Sequence, residues 1–167
     1  MFHCLMLNTK LQQNKTRLIT EISQQPRVNL NGYIKVGDVR SDNESFEFTF
    51  KDIIFTSALS VKKGNTTYNA SGDGPVLALK INCKNLGTEN IDEWNSGLFS
   101  EIKMKYDNKY DYDGSCWMPE GDIVPLDNKD IYIYFNIPAE IEKSEAPLIV
   151  SFKVNGNEFT VDCRNAK

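Results

Sequence analysis

The sequence predicts an all-β domain, an antiparallel sandwich or barrel. From about residue 45 onward, apolar and polar side chains alternate, as in SFEFTF, where Phe46, Phe48 and Phe50 fall on one face. Asn155-Gly156 lies between two such alternating runs, the strongest short hairpin signal, because both residues tolerate the positive φ that a tight primed turn needs. About seven to nine short runs of this kind are spaced by turn residues, with little helical periodicity between them.

The elements follow in order. Residues 1–31 form a separate N-terminal arm. Leu11, Leu18, Ile19 and Ile22 stand at helical spacing, so a short amphipathic helix over 10–25 and a loose arm are both open. Pro26 would end such a helix near Gln25. The sandwich occupies 32–167. Its first strand is 45–50, and Ile53, Ile54 and Phe55 begin a further one. Residues 57–75, rich in Gly, Ser, Asn and Lys, read as an exposed loop. In VLALKINC (76–83) the set Leu77, Leu79, Ile81 and Cys83 is the better core face. In LFSEIKMKY (98–106) Phe99 stands apart from the Ile102, Met104, Tyr106 face. IYIYFNI (131–137) is apolar on both sides, as a central strand is, and 147–154 and 157–163 make the last hairpin.

At 167 residues, with 40% hydrophobic residues and nine Phe, the chain can fill one core. A net charge of −4 argues against a general nucleic-acid binder, which needs a basic face. No apolar run reaches the roughly 18 residues of a spanning helix, so no transmembrane segment is expected. The start, MFHCLMLNTK, lacks the basic region and small-residue cleavage pattern of a signal peptide. Cysteines stand at 4, 83, 116 and 163 without a CxxC, and the single His is His3, so zinc spacing is absent. A disulfide among Cys83, Cys116 and Cys163, with Cys4 left over, and free core thiols are both open.

The order of motifs resembles the immunoglobulin-like domain of unknown function found in many lipoproteins and secreted proteins of Gram-positive bacteria. Gly37-Asp38 precedes the Phe strand. Lys80–Gly87 resembles the family's strand running into N-x-G/S. Pro125–Asp130 resembles its Pro-Gly-Glu turn, with Leu-Asp-Asn-Lys replacing Gly-Glu. Phe135, Ile137 and Pro138 match its strand end. The resemblance covers residues 33–163. It implies an immunoglobulin-like β-sandwich in a secreted or envelope setting, and it brings no catalytic residues. The chain departs from the family in having no lipobox, and Phe2-His3 lacks the small residues that precede a lipidated cysteine.

The richest candidate stretch is KYDNKYDYDGSCWMPEGD, 105–122. Asp111 and Asp113 before Gly114 imitate a calcium loop, with Glu120 at position twelve. Lys109 falls at the first ligand position, where an oxygen is required, so the match is weak. Tyr110, Tyr112 and Trp117 are the better ligand-binding candidates, because aromatic rings offer large, stiff contact area; packing on the sandwich is the competing reading. Trp94 anchors a loop or joins the same surface. With His3 alone in the chain, Ser-His and Cys-His nucleophile schemes have no base. No two carboxylates are singled out for glycoside hydrolysis. The expectation is a non-enzymatic binding module without a cofactor, acting through loops or an edge strand on a protein or glycan partner at the cell envelope. The alternative is a carbohydrate-binding module with Tyr110, Tyr112 and Trp117 as its platform.

Overall fold

The computed structural model describes residues 32–41, 44–70, 74–92 and 98–167. The expected helix over 10–25, Cys4 and Trp94 lie outside the described residues. Twelve strands follow one another: β1 (Gly32–Tyr33), β2 (Val39–Ser41), β3 (Phe46–Thr56), β4 (Ser60–Lys63), β5 (Thr66–Asn69), β6 (Val76–Asn85), β7 (Phe99–Tyr106), β8 (Tyr110–Asp113), β9 (Ser115–Trp117), β10 (Asn128–Asn136), β11 (Leu148–Val154) and β12 (Asn157–Asp162). A single helical turn, α1 (Ala139–Lys143), links β10 to β11 and buries Ile141. Among the described residues, no helix is long and apolar enough to cross a membrane.

The strands form two five-stranded sheets, β2-β3-β6-β10-β9 and β1-β12-β11-β7-β8. The runs β3-β6-β10-β9 and β12-β11-β7-β8 reproduce the A-B-E-D and G-F-C-C′ order of an immunoglobulin-type sandwich. All pairings in these two sheets are antiparallel except β1 with β12. The alternation read from the sequence supplies the core. Phe46, Phe48, Leu79, Ile81 and Ile133 of one sheet bury against Met104, Val150, Phe152 and Phe159 of the other. Phe48 and Phe159 meet edge to face across the two layers, with centroids 4.9 Å apart, a favourable aromatic geometry.

Two strands hold a bulge that hides the period. Phe50 pairs with Ile81 and Asp52 with the adjacent Lys80, so Lys51 is an extra residue in β3. The expected second strand at 53–55 is therefore the far half of β3, with its inward phase reset to Ile53. In β7, Glu101 takes φ 49° beside a register shift opposite Ser151 and Lys153. This bulge turns Phe99 as well as Ile102 toward the core.

The expected loop at 57–75 holds a hairpin instead. Its strands β4 and β5 pair from Ser60↔Asn69 to Lys63↔Thr66 around Gly64-Asn65, and Gly64 takes φ +59° at the first turn position. Gly at that position suits a II′ turn. The hairpin lies over the outer face of the β6–β10 sheet. Leu59, Val61 and Ala70 pack there on Val76, Ala78 and Tyr132.

Candidate functional site

The β7–β8 hairpin turns at Asp107 and Asn108, both at positive φ (52° and 54°), and the Lys109 N–H donates to Tyr106 O at 3.1 Å. Across it, Lys103 faces Asp113 and Lys105 faces Asp111 in register. Both pairs form ion pairs, the second at 3.2 Å. The two carboxylates of the calcium reading, Asp111 and Asp113, are thus each engaged by a lysine. Among the described residues, no group of three or more His, Cys, Asp or Glu is placed to hold a metal ion. Gly114, which the calcium reading put at position six, has a steric duty. A Cβ there would lie 2.6 Å from Ile102 Cγ2 and closer still to the Phe135 ring.

Gly114 is the one residue between β8 and β9, where the chain crosses from one sheet to the other. That crossing separates the three aromatic candidates. Tyr110 stacks on Tyr106 at 6.2 Å under the Lys109 ammonium, and Tyr112 packs against the main core. Trp117 lies on the other sheet, opposite Tyr132 in register, with centroids 5.7 Å apart. It belongs to the second apolar cluster, beneath the β4–β5 hairpin. The expected platform of Tyr110, Tyr112 and Trp117 is therefore not assembled. Beside Tyr132 on the same outer face, Lys80 pairs with Asp130 at 2.8 Å, and Asn82 donates to Asp130 at 3.1 Å. Burial pushes the Asp130 carboxyl up, but the Lys80 and Asn82 hydrogen bonds outweigh it and hold it below the usual carboxylate value.

Cys83, Cys116 and Cys163 form no disulfide. Cys116 is level with Ile133 and, through it, with Leu79, four residues from Cys83 and two strands away. That separation is on the order of 16 Å from strand rise and spacing, far beyond the reach of about 7 Å between bridged Cα atoms. Burial pushes the Cys83 and Cys163 thiols up to about 12.

A further candidate lies elsewhere, at the end of the sandwich where β6 and β11 finish and β3, β7 and β12 begin. A cleft of about 310 Å³ is lined by Ser45, residues 85–91 except Leu86, Leu98 and Asn155. Asn85 organises it. Among the described residues it is the only buried polar side chain. Its Nδ2 donates to Glu89 O (2.7 Å) and Ile123 O (2.8 Å), and its Oδ1 accepts the Gly87 N–H at 2.9 Å. The last bond is an Asx turn, which gives the N-x-G pattern of residues 85–87 its physical meaning. On the far wall, the Asn155 N–H donates to Leu98 O at 2.8 Å, and Asn155 Nδ2 to Ser45 Oγ at 3.2 Å.

The chain is similar to a β-sandwich protein from Clostridium difficile 630. That uncharacterized protein matches with a TM-score of 0.65 at 21% identity, over 78% of this chain and 93% of its own. A conserved hypothetical protein from Bacillus anthracis and the yjhA protein from Bacillus subtilis align at 13% identity with TM-scores of 0.45. They cover 76% and 77% of this chain and 94% and 98% of their own. No protein-family model matches the sequence, and no curated protein matches it. The Clostridium likeness establishes the β-sandwich fold and nothing about the cleft.

Sequence reading missed the cleft because its walls come from positions 45, 85–91, 98 and 155, which no short motif joins. The one local signal was Asn85-Leu86-Gly87.

Proposed function

We propose that this domain is a non-enzymatic binding module whose recognition surface is the cleft between the start of β3, residues 85–91 at and after the end of β6, Leu98 and the β11–β12 turn. The observation that carries this reading is the cleft itself. It has a volume of about 310 Å³, it sits where loops from both sheets converge, and its walls are held by the Asn85 and Asn155 hydrogen bonds. Loops on a rigid sandwich are a common place for recognition. Strand addition has less to work with: the edge strands β1, β2, β8 and β9 are two to four residues long. The non-enzymatic part is supported by the chain's single His at position 3 and by two buried thiols that stay protonated at neutral pH.

The setting we propose is the envelope or exterior of a Gram-positive bacterium. It is supported by the resemblance of residues 33–163 to lipoprotein and secreted-protein domains, and by nothing else. The test is chemical-shift mapping on the isotope-labelled full chain with a panel of small neutral, cationic and anionic molecules. Hits should cluster at Thr88, Asn90, Leu98 and Asn155. Hits confined to Tyr110 and Trp117, or no hit at all, would refute the cleft.

A further inference from the structure

We propose that the cleft takes an uncharged saccharide; this rests on the cleft reading above and adds the class of ligand. Charge makes the first selection. Among the described lining residues, Glu89 is the only one with an ionisable side chain, and none is Lys or Arg. A phosphate or carboxylate would surrender its hydration without gaining a cation.

The hydrogen-bonding inventory makes the second. A sugar hydroxyl is donor and acceptor at once, and it is matched by groups that are also both. Thr88 brings a hydroxyl and Asn90 an amide, and the Glu89 carboxylate adds a pure acceptor for sugar O–H groups, all on exposed residues whose side chains have no partner among the described residues. The floor makes the third. Ile91 and Leu98, core residues 9% and 8% exposed, add a small apolar edge that a sugar C–H group can touch. The size, about 310 Å³, is at the lower end of small-molecule sites (~300–1,000 Å³) and suits a mono- or disaccharide.

A peptide is the main competitor, and the same lining disfavours it. Peptide recognition draws on an open strand edge, an apolar groove for a helix face, an aromatic slot for proline or a cluster of arginines. None of these is formed by the described residues that line this cleft. Two parts of the wall are tied in place: Asn85 makes three side-chain hydrogen bonds, and the β11–β12 turn is tied to Leu98, which lowers the ordering cost of binding there.

The test is a titration of the labelled full chain with methyl glucoside, N-acetylglucosamine, glucose 6-phosphate and a capped tri-alanine peptide. Saturable shifts are expected at Thr88, Asn90 and Leu98 with the two neutral sugars, and the phosphorylated sugar should bind at least about tenfold more weakly. Asn90→Ala should weaken sugar binding about tenfold, the effect of one lost hydrogen bond, and leave the rest of the spectrum in place. Thr88→Val gives a second, independent loss. If the peptide or the phosphorylated sugar fills the cleft and neutral sugars do not, the saccharide assignment is overturned and the cleft reading stands. If no probe moves cleft residues, both fall.

Discussion

The Asn85 side chain donates from Nδ2 to the Ile123 carbonyl at 2.8 Å, and this bond joins the β6–β7 connection to the β9–β10 connection. The same nitrogen holds Glu89 O, and Oδ1 holds the Gly87 N–H. Asn85→Ala would remove all three bonds, although the Ile123 carbonyl keeps the Ile91 N–H and the Gly87 N–H keeps the Ser45 carbonyl. Each hydrogen bond lost costs ~0.5–1.5 kcal/mol net. A loss of about 2–3 kcal/mol by urea denaturation is expected, with the Thr88–Asn90 resonances displaced. A variant as stable as the parent would show that the Asx turn is not what shapes the cleft.

Gly114 has no room for a methyl group. A Cβ would collide with the Phe135 ring and with Ile102 Cγ2, both of the packed interior. Overpacking of this kind costs ~1–3 kcal/mol. Gly114→Ala should therefore lower the melting temperature by several degrees. Adding calcium should restore nothing, whereas a calcium loop would respond to the ion.

The alternating strands were legible because their burial is one-sided or complete. β6 and β10 read correctly, and so did the Asn155-Gly156 turn, where both residues stand at positive φ, 47° and 78°. β3 was split in two because Lys51 adds a residue and shifts the phase, which a fixed period of two cannot follow. The β4–β5 hairpin looked like a loop because only Leu59 and Val61 near its start and Ala70 at its end touch the sheet, while Lys62, Lys63, Thr66 and Thr67 face water. Its Gly64-Asn65 turn signal was nevertheless in plain sight. Tyr112 and Trp117 are five residues apart yet on different sheets, a fact set by the crossing at Gly114 and by no local pattern.

Leu126 occupies a position built for glycine. Val124, Pro125, Leu126 and Asp127 form a turn closed by Asp127 N–H to Val124 O at 3.1 Å, and Leu126 takes φ +66° while 75% exposed. A non-glycine residue in the left-handed region costs ~1–2 kcal/mol, and glycine returns ~0.5–1 kcal/mol of that as chain entropy. Leu126→Gly should stabilise the fold by about 0.5–1 kcal/mol, read as a higher urea midpoint. A lower midpoint would mean that the exposed leucine packs against something this geometry does not include.

Lys80 and Asp130 should leave a mark on the acid side of the stability curve. The Asp130 carboxyl is held low, so its contribution is fully present above the ordinary carboxylate value and fades as pH falls through the depressed folded value. The Asp130 hydrogen bond holds the Lys80 ammonium high, so that half persists below the ordinary lysine value and is lost only in strong alkali. Both groups are about a third exposed, which keeps the pair below about 1 kcal/mol. Asp130→Asn should be less stable than the parent at neutral pH, with the gap closing as acid protonates the carboxylate below its ordinary range. A gap that stays constant into strong acid would assign the effect to packing rather than charge.

The buried thiols make a sharper test of how tightly the sandwich is closed. Cys83 sits in the core face of β6, between Phe48 of β3 and Lys129 of β10 in register, and Cys163 lies just past β12, with its N–H on Leu148 O. Only a thiolate attacks an alkylating reagent. Burial holds both thiols near 12, so the reactive form is scarce at neutral pH even where the reagent can reach it. Native alkylation with iodoacetamide, followed by peptide mass spectrometry, should leave Cys83 and Cys163 unmodified while the fold persists and label them fully in urea. The same digest without reductant should contain no cross-linked peptide joining 83, 116 or 163. Labelling of Cys83 at the rate of an unfolded thiol would mean that β6 opens frequently. A peptide joining Cys83 to Cys116 would require about 10 Å of strand displacement and would overturn the sheet order itself.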